Sequence, residues 1–500
     1  MALQLSPQQE EIMRVCQHEG CHLLIKALAG TGKTTTILEA LKVLPQGQKV
    51  AFVCFNKTIA TELQSRVPRG VMACTLHSLG GQAVARHTRR SLRDLVDRDK
   101  VAKMLPPLAA PHVRSSVIKL TSLCKNMLID PTDENLIDLA AQYGLELENS
   151  TKPICNLTRQ CLEKSKSDLA TIDFDDMIYL PVALGMGVEK FDVLFVDESQ
   201  DLNRAQQELI MLAGRRIILV GDEHQAIYRF RGADAKSMAN MQTMLEGTGR
   251  ETKVLPLTVT RRCPPVVVEY AQSIVPDFEC VPETWQAYQA WRLNPTGPDA
   301  PVEFGVLKHS SRLEYQRGHM VLCRTNAPLI SVAYGLIAQN IPVKVQGREF
   351  GQDLAKLIKK LASPQNTVAE LEIALGEWRA KEQARLTADP TKTISNEAKL
   401  QVLADKCDCI SCLCEGMENV QQVLDRIQLI FADIEKDTDK SRFVLLSSVH
   451  RAKGLESHIV HIIKPELMPH PMATKDEEIE QEHNLKYVAI TRAIRELHIH

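Results

Sequence analysis

The sequence predicts an α/β protein with two parallel-sheet cores, each interrupted by a mainly helical block. Three observations carry this. The segment Ala27-Leu28-Ala29-Gly30-Thr31-Gly32-Lys33-Thr34 lies between an apolar run at 22–25 and a helix-like run at 35–43. Short β-type runs alternate with helical periods in two separate stretches of chain. Within each stretch a long segment has helical periods and no good strand.

In chain order, the apolar run at 22–25 reads as the first strand, followed by runs at 50–55 and 71–75. Helical periods fill 80–168, and strands return at 193–196 and 216–220. The second set has runs at 320–323 and 342–345, helical periods over 352–437, and strands at 443–447 and 458–463. The predicted domains are therefore a first core of residues 1–80 and 169–256 with an insertion at 81–168, and a second core of 257–351 and 441–500 with a short insertion at 352–440.

A length of 500 residues calls for more than one domain, and 44% hydrophobic with 24% charged residues is ordinary for a globular chain. A net charge of −2 excludes a globally basic coat for nucleic acid but not a local basic channel. No apolar run is long enough to span a bilayer, and residues 1–10 lack a signal-peptide pattern. The cysteines, read as free thiols, fit a reducing, cytoplasmic setting with no membrane partner.

The strand–loop–helix context at 22–43 is what a phosphate-binding loop requires, although its usual first glycine is Ala27. Gly30 and Gly32 let successive backbone N–H groups turn toward one anion; Lys33 reaches the terminal phosphates, and the Thr34 hydroxyl can ligate Mg²⁺. The run Phe191-Asp192-Val193-Leu194-Phe195-Val196 ends in Asp197-Glu198. Asp197 can hold Mg²⁺ there, and Glu198 can orient and deprotonate the attacking water. The next strand ends at Gly221-Asp222-Glu223-His224-Gln225, where the Gln225 amide can report on the γ-phosphate. Tyr228 and Phe230, just beyond, can stack on a base.

These residues together resemble superfamily 1 helicases of the UvrD/Rep/PcrA type, over nearly the whole length and in the family's motif order. Leu5-Ser6-Pro7-Gln8-Gln9 is similar to the Q motif, with Gln9 at the adenine edge. Ala29, Gly30, Thr31, Gly32, Lys33, Thr34 and Thr35 then form the ATP cradle. Phe55-Asn56-Lys57 and Thr75-Leu76-His77-Ser78 resemble strand-holding motifs, and Ile172-Asp173-Phe174-Asp175-Asp176 the acidic segment before Walker B. Leu257-Thr258-Val259-Thr260-Arg261-Arg262-Cys263 resembles motif IV, with Arg262 at the γ-phosphate and Arg261 where the family usually has an adenine-stacking aromatic. Arg324-Thr325-Asn326 resembles a strand-contacting motif. Ser448 to Glu456 is like motif V, giving ribose to Glu456 and the strand to His450; Tyr487 to Ala493 is like motif VI, giving the phosphates to Arg492.

The resemblance implies two RecA-like domains and a cleft closed by ATP with Mg²⁺. It makes Lys33, Glu198, Gln225, Arg262 and Arg492 catalytic. The strand contacts it implies are Phe55, Asn56, Thr75, His77, Tyr228, Phe230, Arg231, Arg324, Asn326 and His450. It also implies 3′ to 5′ movement on single-stranded DNA, unwinding at single/double-strand junctions, and replication, repair or defence proteins as partners. The alternatives are a nucleic-acid-stimulated ATPase subunit that does not itself unwind, and a nucleotide-gated interaction protein.

Cys407, Cys409, Cys412 and Cys414 invite a metal reading, but their flanks read as helix, and one unbroken helix cannot converge four such thiols on one ion. They are expected to be buried or half-exposed thiols. The 15 histidines show no metalloprotease-like spacing, so apart from His77 and His450 they are expected to be surface or capping residues.

Overall fold

The computed structural model describes residues 5–54, 56–143, 145, 147, 150–227, 236–294, 301–310, 314–339, 341–387, 393–431, 439–471 and 473–500. The chain divides into two compact units, Met1–Thr258 and Val259–His500. Among the described residues no helix is long and apolar enough to cross a membrane.

The first unit is built on strands β1 (His22–Ala27), β2 (Val50–Cys54), β3 (Met72–Thr75), β4 (Phe191–Val196), β5 (Gly214–Gly221) and β6 (Thr252–Leu257). They pair in the order β3-β2-β4-β5-β1-β6, every pair parallel. A parallel sheet is covered on both faces, which is why the central strands are runs of Leu, Ile, Val and Phe rather than alternating patterns. Leu23, Ile25, Phe52 and Phe195 pack on one face; Leu24, Val53, Leu194 and Leu219 pack on the other.

Helix α1 (Pro7–His18) opens with Ser6 and Gln9 in a reciprocal capping box and Pro7 in its first turn. Helix α2 (Lys33–Val43) starts directly after Gly32, whose φ of 85° is left-handed. At the far end of the unit, the Gln8 amide brackets Thr258, donating to its hydroxyl at 2.7 Å and accepting from its N–H at 2.9 Å.

The segment between β3 and β4 is helical, with a core of its own that includes Val117, Leu120, Leu136, Leu139 and Ile154. A buried four-charge cluster ties it to the chain just before β4. Lys125 lies 2.6 Å from Asp173 and 2.8 Å from Asp176, and Lys100 lies 2.7 Å from Asp176.

The second unit carries β7 (Val259–Thr260) paired with β8 (Glu279–Cys280), and a second six-stranded sheet. Its strands are β9 (Val306–His309), β10 (Met320–Cys323), β11 (Val343–Val345), β12 (Val444–Ser448), β13 (Ser457–Ile462) and β14 (Ala493–Ile499). Their order is β11-β12-β10-β13-β14-β9, again all parallel. The helices Arg348–Leu361, Val368–Thr387, Thr393–Cys414 and Val420–Ile430 share a hydrophobic core with β10 and β12.

All four clustered cysteines fall on the single helix Thr393–Cys414. Cys407, Cys409 and Cys414 are buried in that core, and Cys412 is half-buried, accepting from the Ser331 hydroxyl. Among the described residues, no three of these thiols come within ligand distance of one another.

Candidate nucleotide and strand sites

The phosphate-binding loop leaves the carboxyl end of β1. Gly30 and Gly32 both have positive φ, 70° and 85°, a conformation that directs consecutive N–H groups to one side without a Cβ penalty. Ala29 and Thr31 are buried, and the Thr31 hydroxyl donates to Leu28 O at 2.9 Å, which holds the loop shape. Gly32, Lys33, Thr34 and Thr35 are half-buried around the start of α2. No acidic residue occupies the first turn of that helix, so its positive end is left for an anion. The Lys33 ammonium donates to Ala27 O and Leu28 O, both at 3.0 Å, and lies 3.7 Å from Asp222 Oδ2.

The carboxyl ends of the neighbouring strands complete the site. Asp197 and Glu198 follow β4, and the Glu198 N–H donates to Asp197 Oδ1 at 2.9 Å. Glu198 has φ 53° and ψ 40°, a left-handed conformation that costs a non-glycine residue free energy and re-aims its side chain. Its carboxylate accepts from the Gln200 amide, whose oxygen in turn accepts from the Asp222 N–H at 3.0 Å. Gln225 donates to Asp222 Oδ2 at 2.6 Å.

One polar chain thus joins Lys33, Asp222, Gln225, Gln200 and Glu198. Asp222 is completely buried, and burial pushes its carboxyl up against the opposing pull of Lys33. The close packing needs glycine at the end of β5, since a Cβ on Gly221 would stand 2.5 Å from Ser199 Oγ and 2.7 Å from Gln200 Oε1. The donor set suits a metal-bound triphosphate: glycine N–H groups and Lys33 for phosphate, with the hard oxygens of Thr34 and Asp197 for a divalent cation.

Gln9 has a bracing role that the motif did not reveal. It is buried behind the loop, where its amide accepts from Ser6 N–H and donates to Thr36 Oγ1 at 2.9 Å.

A cleft of about 890 Å³ opens beside β3, lined by Asn56, Thr75, His77, Ser78, Phe174 and Met177 among others. Asn56 and Thr75 are also helix N-caps, accepting from Ile59 N–H and Ser78 N–H. His77 meets Phe174 edge-on, with ring centroids 6.2 Å apart, and burial lowers its pKa. His77 also lines a small cavity of about 20 Å³, room for one water, whose other walls include Asp197, Glu198 and Asp201. His77 therefore lines both the cleft beside β3 and the small cavity at the acids that follow β4. Phe55, Tyr228, Phe230 and Arg231 lie outside the described residues.

In the second unit Arg262 and Arg492 come together around Thr491. Arg262 pairs with Glu456 at 2.7 Å and donates to Thr491 O at 3.3 Å. Arg492 is 1% exposed, and its guanidinium donates to Val488 O, Leu455 O and the Thr491 hydroxyl. Arg261 is exposed and His450 half-buried. Arg324 holds Glu482 through three contacts of 2.7–2.9 Å, and the Asn326 amide donates to Asp405 at 2.8 Å. Sequence reasoning assigned Arg262, Arg492, Arg324 and Asn326 to ligands; the fold also uses them internally.

Residues 5–246 match the UvrD/REP helicase N-terminal domain, and residues 348–500 match the UvrD-like helicase C-terminal domain. The chain belongs to the UvrD/REP helicase family. These are ATP-hydrolysing superfamily 1 DNA helicases.

This UvrD/REP-type chain is similar to the ATP-dependent DNA helicase Rep of Escherichia coli, 25% identical across 95% of this chain and 88% of Rep. It is similar to the ATP-dependent DNA helicase PcrA of Leuconostoc citreum, 23% identical across 95% of this chain and 79% of PcrA. The F-box DNA helicase protein 1 of Schizosaccharomyces pombe is 24% identical across 99% of this chain, which spans 57% of that protein's length.

Two residues of the site went unassigned in the sequence. Asp222 stands inside the quoted Gly221-to-Gln225 motif, and its position between a strand end and Gln225 was a usable signal. Phe174 is an aromatic flanked by acids; at 43% exposed it is an unusual large apolar surface residue, and only the fold brings it beside His77.

Proposed function

We propose that the chain is an ATP-driven motor that moves 3′ to 5′ along single-stranded DNA and separates duplex at single/double-strand junctions. The observation that carries this reading is the polar chain from Lys33 through Asp222 and Gln200 to Glu198, joined to the strand cleft by His77. Each unit, Met1–Thr258 and Val259–His500, acts as a RecA-like core, the first carrying a helical insertion at 81–168 and the second one at 352–440.

Lys33 and the loop N–H groups bind the β- and γ-phosphates, which draws the ammonium away from Asp222. Glu198, held by Gln200, orients and deprotonates the attacking water. Gln225 and Asp222 respond to loss of the γ-phosphate, because both share hydrogen bonds with the Lys33–Glu198 chain. Thr34 and Asp197 would hold Mg²⁺, which supplies charge neutralisation on the phosphates when bound. Arg262 and Arg492 stabilise the transferring phosphoryl group, and Arg492 must first exchange its carbonyl partners for phosphate oxygen. Arg261 stacks on adenine through its guanidinium plane.

On the strand side, Asn56, Thr75 and His77 bind the backbone in the cleft, with Phe174 as a base platform. His450, Arg324 and Asn326 serve the second unit. Replication, repair or defence proteins in the cytoplasm are the proposed partners.

Strand displacement and translocation on 3′- and 5′-tailed DNA test this reading. Unwinding from the 3′ tail alone is expected. Translocation without strand displacement would make the chain a non-unwinding ATPase subunit, and indifference of ATPase to single-stranded DNA would overturn the motor.

A further inference from the structure

Four histidines that the nucleotide and strand chemistry does not use meet at one place in the second sheet. His461 on β13 and His498 on β14 are register partners, so they share a face, and His500 follows His498 by two residues on that same face. His319 precedes β10, whose Val321 pairs with His461. One ring nitrogen from each of His461, His498 and His500 lies within 4.8 Å of the other two. We infer that His461, His498 and His500 form a binding site for a borderline divalent transition metal, zinc being the representative ion.

The hydrogen bonds around the cluster fix its protons. Ser310 O can only accept, so at 2.7 Å it receives the Nδ1–H of His500. The lone pair of a neutral His500 is then on Nε2, which is 2.8 Å from His461 Nδ1 and takes that proton. His461 Nε2 in turn accepts from His319 Nδ1 at 2.9 Å. This leaves one conflict, because the Gln316 N–H also points at His319 Nδ1, at 3.3 Å.

A metal on His461 Nδ1 and His500 Nε2 removes that conflict without releasing a proton. The His461 proton moves from Nδ1 to Nε2 and is donated to His319 Nδ1; the His319 proton moves to its own Nε2. His319 Nδ1 then accepts from both His461 and Gln316.

His498 supplies the third nitrogen, and Glu496, 3.1 Å from its Nε2, holds its ring. A backbone carbonyl on one ligand and a carboxylate on another are the outer partners that orient metal-binding imidazoles. An all-imidazole set suits zinc, copper or nickel over magnesium or calcium. Tyr315 packs its ring edge-on against His461, with centroids 4.9 Å apart.

The test is equilibrium dialysis and thermal unfolding of the full chain with Zn²⁺, and visible absorption with Co²⁺. One Zn²⁺ per chain is expected at this site, with a raised melting temperature and a Co²⁺ spectrum free of thiolate charge-transfer bands. His498→Gln and His500→Gln, both at half-buried positions, should each abolish the melting shift while keeping the native circular dichroism. Glu496→Gln should weaken binding by about 10–100-fold. The assignment is overturned if the full chain binds no Zn²⁺, if the two histidine variants bind it as tightly as the parent, or if Co²⁺ reports thiolate ligands. Should either variant misfold, Glu496→Gln carries the same decision: unchanged affinity refutes the site.

Discussion

Replacing Lys125 by alanine should be among the most damaging single changes in the first unit. Its ammonium is buried and lies between Asp173 and Asp176, whose second partner is Lys100. Two cations and two carboxylates balance; removing Lys125 leaves one carboxylate uncompensated in a dry site. The two acids raise the Lys125 pKa against the opposing effect of its burial, so its charge is present throughout the physiological range. Breaking a buried pair from one side costs about 3–5 kcal/mol.

For a unit of this size each kcal/mol moves the midpoint by roughly 2–4 °C, so the melting temperature should fall by roughly 6–20 °C. The deficit should shrink toward pH 4. An unpaired buried carboxyl has a raised folded pKa, so its cost appears only above the unfolded value and grows as pH rises through the folded one. Calorimetry of wild type, Lys125→Ala and the rebalanced Lys125→Met with Asp173→Asn, at pH 7 and pH 5, is the assay. A loss under about 2 °C, or a deficit identical at both pH values, would refute the reasoning.

Phe174→Ala should weaken single-stranded DNA binding by about 1–3 kcal/mol while Phe174→Trp retains it, measured by fluorescence anisotropy at fixed salt; equal affinities for both variants would remove Phe174 from the strand surface. Arg262→Ala should lower kcat for ATP by about 10³ with little change in ATP affinity, and matched losses in both would deny it a transition-state role. His22 is buried, its Nδ1 accepts from Ile217 N–H, and burial with Arg250 nearby pulls its pKa down to about 4. The unfolded chain therefore protonates first, and stability is lost as pH falls from about 6.5 toward 4, by about 2 kcal/mol between pH 7 and pH 5. Denaturant unfolding of wild type beside His22→Asn checks this, since the variant should lack that increment.

Strands with apolar runs were legible in the sequence: β1, β2, β4, β5, β10 and β12 carry the signal of a sheet buried on both faces, and β13 was read from Ile459, Val460 and Ile462 around its histidines. The strands β6, β9 and β14 were not. β6 holds Pro256 and lies at a sheet edge, where a missing N–H is tolerated; β9 is a four-residue edge strand; and β14 reads Ala-Ile-Arg-Glu-Leu-His-Ile, with charges where an apolar run was sought.

In the candidate site, loop and acid motifs singled out Lys33, Asp197 and Glu198, and the fold sets Lys33 and Glu198 on one polar chain. Asp222 and Phe174 gain their meaning from neighbours far away in sequence. The helix reading of Cys407 to Cys414 anticipated thiols spread over a packed core. Histidines without a recognisable spacing were expected at the surface or in caps, but His461, His498 and His500 converge through strand register, and His461 is fully buried. Arg324 and Arg492 show the opposite limit: a motif names a residue but not the intramolecular partner it holds.

The most direct test of ATP hydrolysis coupled to a bound strand is steady-state turnover titrated with single-stranded DNA for wild type and Glu198→Gln. Wild-type turnover should rise with strand concentration and lose that rise at high salt. Glu198→Gln should bind ATP yet turn over about 10²–10⁴-fold more slowly at every strand concentration. Turnover by Glu198→Gln within about tenfold of wild type, against the 10²–10⁴ expected from losing a general base, would contradict the assignment.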